Sequence, residues 1–215
     1  MNVFGLAPDQ VAARIKQAGQ NVSFPSLKQS LLTGSLGFTG ASLIVFATVA
    51  FAERWMYRNL GLSGAYLTWT LLFIGLSAGG LSPLVIGPGR FRRFFLLFAV
   101  AFLLYAVGWV GAYFTLRGTA GEWVGSFAGS LLMALVIAAG FGALSASPRL
   151  FAVLFVANSI GYFLGAWLDS SVRGKAGMML WGLAYGLGLG AGLGWSLYLA
   201  QAPLRARFGA GETAI

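Results

Sequence analysis

Six intervals free of any charged residue divide this chain: 29–52, 59–89, 94–116, 123–148, 150–168 and 176–204. The shortest holds 19 residues, and a helix needs about 20 to cross the hydrocarbon core of a bilayer. Lipid offers no partner to backbone N–H and C=O groups, so a span must satisfy them internally, as a helix or as a closed barrel. Barrel strands are segments of about ten residues with alternating polarity. The runs 97–104 and 131–139 do not alternate. The expectation is an all-α, polytopic integral membrane protein: one bundle of six transmembrane helices with short loops and an N-terminal amphipathic segment. The spacing predicts helices at 30–52, 64–86, 92–115, 123–145, 149–168 and 177–201.

Composition supports that class. Only 9% of residues are charged, against about 25% in soluble domains, too few to cover a water-facing surface. The same figures exclude a disordered chain, a coiled coil and a disulfide scaffold. A net charge of +9 could suggest nucleic acid, but the basic residues stand singly or in small groups between apolar stretches, not on one face. They read as membrane-flanking charges that set topology and touch anionic headgroups, so the expected partner is the lipid bilayer, with no nucleic acid. The sequence has no cysteine and no histidine. That removes thiolate and imidazole ligands, a cysteine nucleophile and a histidine base, and no cofactor or metal is expected. The acids are Asp9, Glu53, Glu122, Asp169 and Glu212, too few for a carboxylate pair or a proton relay through the membrane centre.

Three regions follow. Residues 1–28 are a cytoplasmic or interfacial segment, in which Pro8 and Asp9 open a short amphipathic helix carrying Val11, Ala12 and Ile15 and ending near Gly19. Residues 29–202 are the six-helix domain, and 203–215 a mobile basic tail. With six spans both termini share a side. That side carries nine basic residues, with Arg90, Arg92 and Arg93 as its densest cluster, and the other side carries five. The excess puts both termini in the cytoplasm of a bacterial-type inner membrane.

Glycine is 32 of 215 residues, roughly twice the usual 7%. Gly182, Gly186, Gly190 and Gly194 recur every four residues, as do Gly121, Gly125 and Gly129, Gly161 and Gly165, and Gly75 and Gly79. This glycine-zipper spacing lets helix backbones approach closely in lipid. Gly188 and Gly192 smooth a second face of the last span, which makes it the central helix. The segment Gly79-Gly80-Leu81-Ser82-Pro83 ends or kinks the second span.

Polar residues inside spans are few. Asn158, Tyr162, Gly165 and Asp169 fall on one helix face, with Ser159 beside Asn158. An unpaired amide in hydrocarbon costs a few kcal/mol, so Asn158 either bonds a neighbouring helix or meets a solute. Tyr66, Thr70 and Ser77 form a similar face on the second span, with Trp69 beside them, and Tyr185, Gly188, Gly192 and Ser196 do so on the last. The candidate substrate-binding residues are thus Asn158, Ser159, Tyr162, Asp169, Trp69, Thr70 and Tyr185. No catalytic residue stands out, and an enzyme is the least favoured class. Trp55, Trp123, Trp167 and Trp195 fall near span ends, as interfacial anchors do.

The stretch Ala184-Tyr185-Gly186-Leu187-Gly188-Leu189-Gly190-Ala191-Gly192 resembles the last core helix of the rhomboid family, and 87–95 resembles the segment after that family's second helix. The resemblance covers a small part of the chain and does not by itself assign a family. It would imply an inactive relative: Tyr185 stands where the family's catalytic histidine falls, and the fourth span lacks its GxSG motif. The leading expectation is a small transporter or channel-type protein for a small neutral or weakly polar solute, with a polar site at mid-membrane. The alternative is a non-catalytic subunit or substrate-binding component of a larger membrane complex, and homo-oligomers or partner subunits are compatible with either.

Overall fold

The computed structural model describes residues 3–19 and 22–209, and those residues form helices joined by short connections, with no strand among them. The order is α1 (Pro8–Ala18), α2 (Leu27–Leu81), α3 (Arg90–Leu116), α4 (Gly118–Gly140), α5 (Ser147–Val172), α6 (Gly174–Ala200) and α7 (Ala202–Gly209). Single 3₁₀ turns at Ser82–Leu84 and Leu144–Ala146 follow α2 and precede α5. Five helical stretches are long and apolar enough to cross a membrane. Large apolar side chains such as Leu36, 68% exposed, and Ile160, 60% exposed, cover their outer faces. A surface of that kind is solvated by lipid, and the chain has the architecture of a multi-pass helical membrane protein.

The longest helix reverses on itself. Gly61 has φ 68° and ψ 179°, a conformation that only glycine adopts cheaply. On either side of it the arms 27–60 and 62–81 lie antiparallel. The Phe38 and Phe73 rings stack with centroids 5.4 Å apart, and the Trp69 indole donates to Thr48 Oγ1 at 3.0 Å. In a straight helix residues 38 and 73 would stand about 50 Å apart at 1.5 Å per residue. Two further reversals have the same form. Arg117 (φ 55°, ψ 167°) separates α3 from α4, and Arg173 (φ 56°, ψ 166°) separates α5 from α6. At each, the arginine N–H donates to the last turn of one helix, Tyr113 O at 2.8 Å or Asp169 O at 2.7 Å. Its carbonyl then accepts from the first turn of the next, Gly121 N at 3.1 Å or Gly177 N at 3.3 Å. One residue therefore closes both helix ends. The helical body is three hairpins in series.

These turns differ from the loops expected around 53–63, 116–122 and 169–176. Charges ended the predicted spans, but the helices continue through Glu53, Arg54 and Arg58 to Leu60, and through Asp169 to Val172. A charge marks where lipid stops; it does not unwind a helix whose residues keep good helical propensity.

α6 packs tightly on two sides, and its glycines explain why. A methyl group on Gly190 would lie 2.6 Å from the Gly34 carbonyl oxygen, and one on Gly186 would lie 2.6 Å from Thr39 Cα. The glycine face at 182, 186, 190 and 194 is thus pressed against the first arm of α2. The second face meets α5, where a methyl on Gly188 would lie 2.7 Å from Gly161 Cα. Likewise Gly121, Gly125 and Gly129 of α4 admit Tyr113, Trp109 and Tyr105 of α3. Gly75 and Gly79, expected to pack in the same way, meet nothing within 4 Å. On the second arm of α2 the close approach is made by Gly80 against Gly37 instead.

The end of the bundle opposite the three reversals is closed by irregular chain. Gln201, 3% exposed, satisfies it: its Oε1 accepts from Ile86 N at 2.8 Å, and its Nε2 donates to Leu84 O at 3.0 Å. The Gly79–Pro83 segment ends α2 and passes into this braced stretch. α1 packs on the same end. The apolar residues expected to line one face of this helix, Val11 and Ile15, are buried against Ile86 and Leu204. The region read as a mobile tail from Pro203 is helical as far as Gly209 and is pinned by Leu204, by Arg205 stacked on Tyr198, and by an Arg207–Asp9 ion pair. Residues 210–215 of that expected tail lie outside the described residues.

Candidate functional site

Between the two arms of α2 and the middle of α3 lies a cleft of about 210 Å³. Its walls are aromatic. Phe46 comes from the first arm of α2 and Tyr66, Trp69 and Phe73 from the second. α3 adds Phe102, Tyr105 and Trp109, α5 adds Tyr162 and α6 adds Tyr185. No charged residue lines it. Four of the residues singled out by sequence, Trp69, Thr70, Tyr162 and Tyr185, meet here. The Thr70 hydroxyl donates back to Tyr66 O at 2.8 Å, the usual fate of a helical threonine, and keeps its oxygen as an acceptor.

Asn158 and Ser159 lie behind this wall. Asn158 is wholly buried and anchors a hydrogen-bonded chain through four helices. The Tyr105 hydroxyl donates to Asn158 Oδ1 at 2.8 Å. The Asn158 amide donates to Ser126 Oγ at 2.8 Å, and Ser126 and Ser159 share a proton-bridged contact of 2.8 Å. Tyr105 and Tyr185 stand 3.0 Å apart. A phenol carries one proton; since Tyr105 gives its own to Asn158, Tyr185 donates to Tyr105. The amide therefore fixes the two tyrosines that form the floor of the cleft, while Asn158 itself is not a lining residue. Tyr162 is held in a second way, by donating to Glu122 Oε1 at 3.2 Å. Its ring sits between Trp109 and Trp181, with centroids 5.3 and 5.4 Å away. Both of those indole nitrogens are buried without a hydrogen-bond partner. A buried donor left unpaired costs about 1–3 kcal/mol, so both are exceptions to the rule that buried polar groups find a partner.

Asp169 is not in the cleft. It lines a separate cavity of about 610 Å³ near the three reversals, together with Glu53, Arg54 and Lys175. Val49 borders both cavities.

Sequence reasoning missed Tyr105, Ser126 and Glu122. Tyr105 had a legible signal, since it is the central residue of the uncharged interval 94–116. Ser126 had none, being a serine among small residues whose role depends on which helix faces it. The four expected interfacial tryptophans are between 43% and 62% exposed, as anchors at a lipid boundary would be. Comparison with protein-family models, with curated proteins and with solved structures finds no match to this chain.

Proposed function

We propose that this protein is a small membrane transporter or channel-type protein for a small, neutral or weakly polar solute held in the aromatic cleft. The observation that carries the reading is the cleft's lining: aromatic faces, a few phenolic hydroxyls and no charge. An apolar pocket with a few convergent polar groups is the usual form of a small-molecule site. A cavity of about 150 Å³ already holds benzene, so about 210 Å³ accommodates a ring with a short polar substituent. Such a site would strip water poorly from a bare ion, which needs oxygens or opposite charge to replace its hydration. In this reading Asn158 and Ser159 orient Tyr105 and Tyr185, and Tyr162, Trp69 and Thr70 touch the solute. The two arms of α2 count as separate crossings, giving six, with both termini on the cytoplasmic side of an inner membrane, as the basic residues favour.

The test is uptake into liposomes of a graded set of neutral solutes, from glycerol to indole. Wild-type protein should accelerate entry of at least one. Ala106→Phe, which fills the cleft from α3, should abolish that acceleration while the protein stays folded. If no solute moves faster than through empty liposomes, and none perturbs tryptophan emission, the reading falls. A second reading, a subunit of a larger membrane complex, is favoured by the bare glycines Gly75 and Gly79. They leave a smooth strip on α2 with nothing of this chain against it. Co-purification with stoichiometric foreign subunits would select it.

A further inference from the structure

The rim cavity near the reversals carries a balanced set of charges. Glu53 and Arg54 come from the first arm of α2, Asp169 from the end of α5 and Lys175 from the start of α6. Two are acidic and two are basic. None pairs with another: among the described residues the one ion pair is Arg207–Asp9, at the far end of the bundle. Lys175 instead places its ammonium 4.5 Å from the centre of the Phe51 ring. Glu53 engages the Tyr57 hydroxyl and lies within electrostatic reach of Tyr66, a lining residue of the aromatic cleft.

We infer that the rim cavity and the cleft together form one site for a zwitterion with an apolar body. The ammonium would lie between Glu53 and Asp169, the anionic group between Arg54 and Lys175, and the apolar part past Val49 into the cleft. The inference rests on the cleft reading above and names its class of solute. Charge balance is the argument for a dipole. A site for an anion would show an excess of cations and a site for a cation an excess of acids, whereas two of each, held apart, complement a ligand with both signs and no net charge. Adjacency is the argument for the apolar body: Val49 borders both spaces, so an aromatic-walled recess lies next to a ligand anchored at the rim. Aromatic faces also favour an ammonium that strays inward.

The ligand could reach this site from water or as the headgroup of a zwitterionic lipid. The test uses four probes with one ring: phenylalanine as zwitterion, phenylalanine amide as cation, N-acetylphenylalanine as anion and N-acetylphenylalanine amide as neutral form. Each is titrated calorimetrically into the full-length protein in a maltoside detergent, with dihexanoyl phosphatidylethanolamine as the lipid probe. We expect one zwitterion, the amino acid or the lipid, to bind at least tenfold more tightly than the three other ring probes. Asp169→Asn and Lys175→Gln should each weaken it about tenfold, while Arg149→Gln, on the opposite end, should not. Binding by phenylalanine assigns the aqueous source, and binding by the phosphatidylethanolamine alone assigns the lipid. Equal binding of all four ring probes, or binding of a zwitterion indifferent to both rim variants, would overturn the inference and leave the cleft reading standing. Failure of both zwitterions, with the neutral probe still bound and displaced by Ala106→Phe, would do the same. Failure of every probe would overturn both.

Discussion

Replacing Gly190 by alanine adds one methyl group to α6, and the structure fixes where it goes. Its Cβ would lie 2.6 Å from the Gly34 carbonyl oxygen, 2.9 Å from Ser35 Cα and 3.0 Å from Phe38 Cβ. Two of these are backbone atoms and the third is bonded to the backbone, so no side-chain rotation relieves the clash. Bringing 2.6 Å to an ordinary 3.4 Å separation moves the two helices apart by about 0.8 Å. The seam at Gly186 and Gly194 opens with it, since one rigid helix carries all three. Overpacking of this kind costs up to about 3 kcal/mol. Alanine returns about 1 kcal/mol through helix propensity, leaving about 2 kcal/mol, a fold change in the unfolding equilibrium of roughly 30. Gly75→Ala is the matched control. It meets nothing within 4 Å, so it keeps only the propensity gain and should be neutral or up to about 1 kcal/mol more stable. Unfolding in mixed micelles with increasing dodecyl sulfate reads both. Equal stability of Gly190→Ala and Gly75→Ala would refute the argument that α6 and α2 touch backbone to backbone.

Three further outcomes follow from the geometry. Asn158→Leu removes bonds to Tyr105 and Ser126, each worth about 0.6 to 1.7 kcal/mol in a membrane bundle. It should lower stability by about 1–3 kcal/mol in the same unfolding assay even without solute, an effect that a residue touching only ligand would not produce. Gln201→Leu orphans the Ile86 N–H and the Leu84 carbonyl, about 1–3 kcal/mol for each. The melting temperature should fall and amide exchange at Ile86 should speed up, and unchanged exchange would argue against the brace. Arg173→Gly relieves a backbone conformation that costs a non-glycine residue about 1–3 kcal/mol. After about 0.5–1 kcal/mol lost to unfolded-chain freedom, the variant should melt higher than wild type; a lower melting point would contradict the strain.

The class of fold was readable because lipid imposes a simple rule on sequence: long uncharged stretches become helices. The helix ends were less readable. Between Ala52 and Gly64 the chain carries Glu53, Arg54 and Arg58, and a loop was the natural inference, yet helix persists to Leu60 and one glycine does the turning. Gly75 and Gly79 show the same limit. Their spacing matches that of Gly186 and Gly190, but spacing says only that a face is smooth, not that a neighbour stands there. At the site, four lining residues were found because aromatic and hydroxyl groups are conspicuous in apolar spans. The role of Asn158 was half-visible: its need for partners followed from burial, but the partners Tyr105 and Ser126 come from two other helices, and no local pattern encodes that meeting. Asp169 shared a helix face with Asn158 and still belongs to another cavity, because three turns of helix separate the rim from the floor.

The one-residue reversals bear on how the chain enters its membrane. A connection of a single residue leaves no slack for one helix of a pair to settle before the other arrives, so each hairpin must be delivered to the bilayer as a unit. The leading point of two of those hairpins is an arginine, Arg117 or Arg173. On the proposed topology, with the termini in the cytoplasm, that point would travel outward against an inside-negative potential, at about 2.3 kcal/mol per charge per 100 mV. Burial of two apolar helices at once supplies the drive, and the guanidinium left on the far surface then resists the return journey. On that topology each tip would act as a ratchet, through the cost of bringing a guanidinium back into lipid, that a neutral turn such as Gly61 would not provide.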